Sequence, residues 1–284
     1  MNPVGFIGLG RMGLAIACRM QRLGFPVLAH NRTPGRSSQL EQLGGTIADS
    51  PAAVADRAGL IFTVVTGPED VAQVLLGPRG VCSSRRTGLV VADLSTIDPD
   101  SSRAIAERVK RLGIEMLDAP MSGSLHDAER GTLGLLVGGD ACVLERFRTV
   151  LESVGRIYHF GPNGSGCSAK LALNLLLSAM TQSLAESLHL LEKLGLSREL
   201  FLSAVATSGL ASPLFQRAGA RALAEDFRPR FSLRDLGKDM TLLQGLSRKA
   251  GVDLPLAHLL TQIVTRRADD IGDQDYTALI ARLA

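Results

Sequence analysis

Val4–Gly13 reads VGFIGLGRMG, an apolar run that ends in three glycines with the spacing GxGxxG. The apolar residues predict a buried strand, and the pattern of Met12–Leu23 predicts a helix directly after the glycines. Gly8 permits the tight turn, Gly10 lets the backbone approach a ligand, and Gly13 lets the helix pack closely against the strand. The helix start presents free N–H groups and a positive dipole end. The segment therefore predicts a loop that binds the pyrophosphate of a dinucleotide.

Short apolar runs alternate with helical patterns through the first half of the chain. Most runs are unbroken, which is typical of strands covered on both faces of a parallel sheet. The predicted strands are Val4–Gly8, Pro26–His30, Leu60–Val65, Leu89–Asp93, Glu115–Asp118, Leu133–Val137 and Arg156–Phe160. Helices predicted between them include Met12–Leu23, Asp100–Leu112 and Cys142–Val154. The alternation predicts an α/β fold with a doubly wound Rossmann sheet.

The pattern changes at Gly161–Gly164, which reads GPNG and breaks the chain. We predict no strand after it, and a long helix from Ser165 that ends at Gly195, a suitable residue just beyond a helix. Further helices are predicted over Arg198–Thr207, Pro213–Ala224, Leu233–Ala250 and Pro255–Arg267. We therefore expect a Rossmann domain over residues 1–162 and an all-α domain for substrate binding and oligomerisation over residues 163–284, joined through the long helix.

The tip of the second predicted strand bears on the choice of dinucleotide. An NAD site usually has Asp or Glu here, which grips the ribose hydroxyls. This chain has Asn31, Arg32 and Thr33 instead. Arg32 can pair with a 2′-phosphate and stack on adenine, and Thr33 can donate a hydrogen bond. The alternative is that Arg32 and Arg36 are only solvated surface charges. Their placement at the strand tip favours NADP(H) over NAD(H).

Composition narrows the classes of partner and compartment. The formal net charge of +3 is too small to indicate nucleic acid. The most apolar long stretch, Leu171–Leu191, contains Asn174, Gln182 and Glu186, so we expect a buried helix and no membrane span. The four cysteines form no CxxC and no metal-like cluster. They are typical of reduced thiols in a cytoplasmic protein, and we expect no metal site.

Six motifs in order along the chain resemble the β-hydroxyacid dehydrogenase family. They are GFIGLGRMG from Gly5, DLST from Asp93, DAPMSGS from Asp118, GTLGLLVGG from Gly131, GSGCSAKLALN from Gly164 and GKDM from Gly237. The resemblance covers essentially the whole chain. It implies a 3-hydroxyisobutyrate dehydrogenase-like enzyme that interconverts a small carboxylate-bearing semialdehyde, or 2-oxo acid, and its hydroxy acid.

The resemblance also implies cofactor contacts beyond the glycine-rich loop. Thr96 resembles the residue beside the nicotinamide, and Lys238 resembles a lysine that reaches the cofactor from the helical domain. Val65 and Thr66 stand where the family usually has Leu-Pro or a similar pair. With the residues taken from the loop and the strand tip, the expected cofactor-binding set is Gly8, Leu9, Gly10, Arg11, Met12, Gly13, Asn31, Arg32, Thr33, Val65, Thr66, Thr96 and Lys238.

For substrate and catalysis, the resemblance implies a carboxylate-binding loop at Ser122 and Gly123, a catalytic Lys170 and its partner Asn174. Lys170 and Asn174 are four residues apart and so share one face of the long helix. Desolvation lowers the pKa of a lysine, which suits it to proton transfer near neutral pH. Alone, the pair is more typical of a lysine that snorkels to solvent beside a polar neighbour. The motif context favours the general acid/base.

Two other functions stay open at the level of sequence. An imine reductase has similar cofactor motifs but usually lacks the lysine. A non-catalytic NADPH-binding sensor or interaction module is expected to keep the glycines and lose the lysine. Lys170 argues against the imine reductase, and Lys170, Asn174 and Ser122 together disfavour the sensor. The apolar long helix suggests subunit packing, and we expect a homodimer or homotetramer.

Overall fold

A computed structural model describes residues 2–84 and 86–281, and the chain divides into two compact units, Met1–Lys170 and Leu171–Ala284. The division falls inside a 29-residue helix, Ser165–Lys193. The domain boundary expected between residues 162 and 163 stays a prediction.

The first unit alternates strands and helices as the sequence pattern predicts. Its elements in chain order are β1 Val4–Ile7, α1 Arg11–Arg22, β2 Val27–His30, α2 Ser38–Gln42, β3 Thr46–Ile47, α3 Pro51–Ala55, β4 Leu60–Thr63, α4 Pro68–Leu76, a 3-10 turn Val81–Ser83, β5 Val90–Asp93, α5 Pro99–Lys110, β6 Glu115–Asp118, β7 Met121–Ser122, α6 Leu125–Arg130, β8 Leu133–Gly138, α7 Ala141–Glu152 and β9 Gly155–Gly161. The helix α8, Ser165–Lys193, begins in this unit.

The strands form one sheet in the order β3-β2-β1-β4-β5-β6-β8-β7, with β9 paired to β8. The pairs from β3 to β6 are parallel. Both faces of the sheet are covered: Phe6 and Phe62 pack in one apolar cluster, and Ile61 and Val91 in another. The chain winds outward from β1 in one direction and then from β4 in the other, which creates a crevice at the carboxyl ends of these strands. The predicted doubly wound fold is confirmed.

The far side of the sheet departs from the parallel pattern. β8 runs antiparallel to β6 through the pair Asp118 and Gly138, and β7 runs antiparallel to β8. On β9 one face is open, with Tyr158 42% exposed and Phe160 53% exposed. An apolar run in the sequence does not indicate the direction of a strand. The sequence therefore predicted that β8 and β9 are strands, but not their orientation.

The second unit continues α8 and adds α9 Arg198–Thr207, α10 Pro213–Leu223, α11 Leu233–Ala250, α12 Pro255–Ile271 and α13 Ala278–Ala281. Ser197, Ser212 and Ser232 each precede a helix and accept a backbone N–H bond from its first turn, which fixes three helix starts. Within residues 171–281 the structure has no named strand, so the predicted all-α architecture is confirmed.

Over residues 2–84 and 86–281, no helix is both long and apolar enough to cross a membrane. In the same residues, no cluster of three or more His, Cys, Asp or Glu side chains has a metal-binding arrangement.

Candidate active site

The glycine-rich loop joins β1 to α1 in a conformation that only glycine accommodates. Gly8 has a φ of +99°, and a Cβ there would lie 2.2 Å from the carbonyl oxygen of Val64. A Cβ at Gly13 would lie 2.1 Å from the carbonyl oxygen of Gly8, so this glycine lets the helix approach the strand. At Gly10 a Cβ meets nothing within 4 Å. The loop is therefore tightly packed on the protein side and open at its central glycine.

The start of α1 fits a phosphate-bearing group. Gly10 is the residue that precedes the helix, no side chain caps it, and the first turn contains no acidic residue. The N–H groups at a helix start have no partner within the helix and lie at its positive dipole end. Open space above Gly10 leaves room for a ligand to approach them. These features match the chemistry of a dinucleotide pyrophosphate.

Asn31, at the tip of β2, shapes this loop from the side. Its Oδ1 accepts a hydrogen bond from the backbone N–H of Leu9 at 2.8 Å, and its Nδ2 donates to the carbonyl oxygen of Thr33 at 2.6 Å. Both ends of the amide are thus bound to backbone. The neighbouring Arg32 is 86% exposed and pairs with Asp70, in the first turn of α4, at 3.1 Å.

Three buried polar side chains line the carboxyl ends of adjacent strands. Thr63 on β4 pairs in register with Asp93 on β5, which pairs with Asp118 on β6. The hydroxyl of Thr63 donates to Asp93 Oδ1 at 2.6 Å, and the backbone N–H of Ser95 donates to the same oxygen at 3.2 Å. Burial raises the pKa of Asp93 to about 6, against the opposing effect of these hydrogen bonds. The sequence offered Asp93 and Asp118 only as the first letters of two motifs, and we assigned them no role.

The segments expected to face the nicotinamide follow these strands. The backbone N–H of Val65 donates to the hydroxyl of Ser95 at 3.0 Å, which ties the segment after β4 to the segment after β5. Thr66 is exposed and Thr96 is half-buried. The structure thus brings Val65, Thr66 and Thr96 to the same sheet edge as the glycine-rich loop, within the first unit.

Ser122 lies on β7, opposite Gly134 of β8, and is half-buried. Gly123 follows with a φ of +140°, so the chain turns where a side chain is disfavoured. The next residue, Ser124, begins α6 with Asp127 in a reciprocal cap: Asp127 accepts from the Ser124 N–H and hydroxyl at 2.7 and 2.6 Å. The hydrogen bonds of this cap hold the turn in place, and they do not involve the Ser122 hydroxyl or the Gly123 N–H.

Lys170 is the sixth residue of α8 and is half-buried. Cys167, one turn earlier, is fully buried, and burial raises the pKa of its thiol well above the usual range. This agrees with a core cysteine rather than a nucleophile.

In the second unit, Asn174 and Lys238 are joined by a residue to which the sequence analysis assigned no role. Asp239 is 1% exposed and accepts a hydrogen bond from Asn174 Nδ2 at 2.7 Å. Its other oxygen, Oδ1, lies 2.8 Å from Lys238 Nζ. Asp239 therefore fixes the orientation of both side chains. In the sequence, the position of Asp239 beside Lys238 in the GKDM motif was the signal that could have indicated this role.

Two family models match the chain over residues 3–162 and 164–283. The first describes the NAD binding domain of 6-phosphogluconate dehydrogenase, and the second is described as NAD-binding of NADP-dependent 3-hydroxyisobutyrate dehydrogenase. Together they span nearly the whole sequence.

Individual relatives agree with these models. The chain is 33% identical to 2-(hydroxymethyl)glutarate dehydrogenase of Eubacterium barkeri over 98% of this chain and 93% of the relative. It is 30% identical to glyoxylate/succinic semialdehyde reductase 1 of Arabidopsis thaliana over 98% and 96% of the two chains. A structure of Mycobacterium tuberculosis 3-hydroxyisobutyrate dehydrogenase with L-serine matches with a TM-score of 0.89, 28% identity and coverage of 99% and 98%. The chain therefore belongs to the β-hydroxyacid dehydrogenase family and is a hydroxy acid dehydrogenase that uses a pyridine nucleotide.

Proposed function

We propose that this chain interconverts a small carboxylate-bearing semialdehyde, or 2-oxo acid, and its hydroxy acid with NADP(H), and that Lys170 is its general acid/base. The observation that carries the proposal is the open, uncapped glycine-rich loop in the same compact unit as Lys170. Among the relatives, the names of the Arabidopsis and Eubacterium proteins refer to semialdehyde and hydroxy acid chemistry.

Different residues are proposed to bind different parts of the cofactor. The backbone from Gly8 to Gly13 and the start of α1 meet the pyrophosphate. Val65, Thr66 and Thr96 are proposed to bind the nicotinamide part, and Lys238 is the cofactor-binding residue that we propose within the second unit. The bound nicotinamide supplies a hydride to the carbonyl carbon in reduction or accepts one in oxidation.

For the preference for NADP(H), we propose that Arg32 and Thr33 hold the 2′-phosphate. The proposal rests on the exposed guanidinium of Arg32 and on the absence of a carboxylate at position 31, where the amide of Asn31 is bound to backbone. Arg32→Ala removes a charge-assisted contact worth about 1.5–3 kcal/mol. We expect the dissociation constant of NADPH to rise roughly 10- to 150-fold, with NADH binding nearly unchanged.

Arg36→Ala is the matched control, because Arg36 is an exposed arginine of the same loop. Asp70→Asn tests the ion pair itself: Asp70 competes with a phosphate for Arg32, so its loss should tighten NADPH binding by up to about fivefold. If NADH binds the parent protein more tightly than NADPH, the proposed preference is wrong.

Lys170 Nζ is proposed to donate a proton to the carbonyl oxygen in reduction and to accept it in oxidation. Asn174 lies one turn further along α8 with its Nδ2 held by Asp239, which leaves its Oδ1 as an acceptor for an ammonium or hydroxyl group. Ser122 and the N–H groups around Gly123 are proposed to bind the substrate carboxylate. A polar turn that presents a hydroxyl and backbone donors suits an anion.

Lys170→Ala tests the mechanism. Proton transfer by a positioned side chain contributes about 10²–10⁴-fold, so kcat should fall by that order while NADPH affinity is kept. Lys170→Arg should restore little, because a guanidinium does not give up its proton near neutral pH. NADPH consumption with a panel of small aldehydes, semialdehydes and keto acids supplies the assay. Near-normal turnover in Lys170→Ala would contradict the mechanism and favour the imine reductase or sensor interpretations.

We also propose a homodimer or homotetramer assembled through the helical unit in a reducing, cytoplasmic setting. Leu176, Leu194 and Leu200 are between 60% and 72% exposed on α8, α9 and their connection. The four cysteines are free, as in a reducing compartment. Light scattering should give a mass of two or four chains, and Leu176→Glu with Leu200→Glu should lower it. Leu112→Glu, at a leucine 59% exposed in the first unit, is the control.

A further inference from the structure

Asp118 is a fully buried carboxylate at the end of β6, and its hydrogen bonds with residues 2–84 and 86–281 lead to the start of α8. Its Oδ1 accepts from the backbone N–H of Gly164 at 2.7 Å, and its Oδ2 accepts from the backbone N–H of Cys167 at 3.0 Å. Asn163 Nδ2 lies 3.5 Å from Oδ1 and also donates to the carbonyl oxygen of Met116 at 2.8 Å. One side chain therefore joins β6 to the loop before α8 and to its first turn.

These contacts explain how a carboxylate is kept in the protein interior. Burying a charge costs several kcal/mol unless hydrogen bonds replace its hydration. The N–H groups at a helix start are unsatisfied within the helix and lie at its positive end, so they stabilise an ionised carboxylate. The residue directly before α8 is Gly164, which has no side chain that could cap the helix. Asp118 caps it instead, from the end of β6.

The first turn of α8 has little space in which to move. A Cβ at Gly166 would lie 2.0 Å from the carbonyl oxygen of Leu136 and 2.9 Å from Asp118 Oδ2. The helix start is thus packed directly against β8 and against the carboxylate. Lys170 follows Cys167 by three residues, about 4.5 Å along the helix axis.

We infer that Asp118 is a positioning residue for Lys170: by capping α8 from the end of β6, it fixes the height and rotation of the turn that carries the proposed general acid/base. The inference rests on the proposed role of Lys170. A displacement of about 1 Å in a catalytic group can cost on the order of 100-fold in rate, so the anchoring of this turn matters for catalysis.

Asp118→Asn is the closest replacement in shape. One carboxylate oxygen becomes an NH₂ group, which sets a donor against a backbone N–H and removes the charge. We expect kcat to fall at least tenfold, with the dissociation constant of NADPH within twofold of the parent. The apparent KM for the carboxylate substrate should change less than kcat, because the proposed carboxylate-binding turn at Ser122 and Gly123 is left in place.

Asp140→Asn is the matched control. Asp140 also accepts backbone N–H groups at a helix start, from Cys142 at 2.7 Å and Val143 at 3.4 Å, but it is exposed and α7 carries no proposed site residue. It should leave kcat and KM unchanged. Asn163→Ala is a milder second variant that removes one donor from Asp118 and should lower kcat two- to fivefold.

The measurements are steady-state kcat and KM, and NADPH affinity by fluorescence titration. Unchanged kcat in a folded Asp118→Asn variant would overturn the inference, as would a parallel loss of NADPH affinity and turnover. If Asp118→Asn does not fold, unchanged kcat in Asn163→Ala overturns it. Normal turnover in Lys170→Ala contradicts the proposed function itself, whereas a defect in Lys170→Ala without one in Asp118→Asn contradicts only this inference.

Discussion

Asp93 gives a stability prediction with a defined sign. It is fully buried, and no hydrogen-bond partner for its Oδ2 is found among residues 2–84 and 86–281. Burial raises the pKa of its carboxyl from 3.8 to about 6. The folded state therefore holds the proton more tightly than the unfolded chain, and ionisation penalises folding. The penalty is absent below about pH 4 and fully present above about pH 6.

The size of the penalty follows from the shift. A difference of about two pKa units corresponds to roughly 3 kcal/mol. Asp93→Asn removes the ionisation and keeps an oxygen that can accept from Thr63 and from the Ser95 N–H. Neutral hydrogen bonds are weaker than charge-assisted ones by about 1 kcal/mol. We therefore expect the variant to be about 1–3 kcal/mol more stable than the parent at pH 7, with the difference disappearing near pH 4.

Urea unfolding between pH 4 and pH 8 measures this difference directly. Thr63→Val should shift the loss of stability to higher pH, because the Thr63 hydroxyl lowers the pKa of Asp93. Asp140→Asn is a control of opposite sign: backbone N–H bonds lower the pKa of Asp140, so its ionised form stabilises the fold at neutral pH. If the parent protein instead gains stability relative to Asp93→Asn as the pH rises from 4 to 7, the reasoning is refuted.

Three further predictions concern the site. Ser122→Ala should raise the apparent KM for a carboxylate substrate about tenfold, the loss of one charge-assisted hydrogen bond, with NADPH affinity unchanged; an equal effect on a matching uncharged aldehyde would contradict it. Asp239→Ala should lower the free energy of unfolding by about 3 kcal/mol and lower kcat, because Asn174 and Lys238 lose their common partner; urea unfolding and steady-state kinetics check both effects. Gly10→Val should weaken NADPH binding more than tenfold and leave the melting temperature nearly unchanged, because its φ of −66° suits any residue and a Cβ there meets nothing within 4 Å.

The order and type of the main elements follow from local patterns. Unbroken apolar runs predicted β1, β4 and β5 because strands covered on both faces have no polar alternation. The helix Arg198–Thr207 was predicted to the residue, and in the structure Ser197 caps its start. The two-residue strands β3 and β7 were missed, because two residues carry no periodic signal.

Long-range polar contacts were beyond sequence reasoning. Asp93, Asp118 and Asp239 acquire their roles from residues between 30 and 65 positions away. A motif indicates that such a residue is present. Whether its carboxylate caps a helix, accepts a hydrogen bond from a hydroxyl or joins two side chains depends on which strands and helices become neighbours. The backbone-directed role of Asn31 was missed for the same reason, since Leu9 lies 22 residues before it.

The contacts of Asn31 also bear on how this loop distinguishes two dinucleotides. An acidic residue at the same position would still accept from the Leu9 N–H, but its second oxygen would face the carbonyl oxygen of Thr33, where Asn31 now donates at 2.6 Å. Two acceptors at that distance repel each other, so the local backbone favours an amide over a carboxylate. The amide shapes the loop, so in the proposed preference for NADP(H) recognition at the 2′ position falls to its neighbours. We expect Arg32, held at 3.1 Å by Asp70, to provide the discrimination that a carboxylate provides in an NAD site.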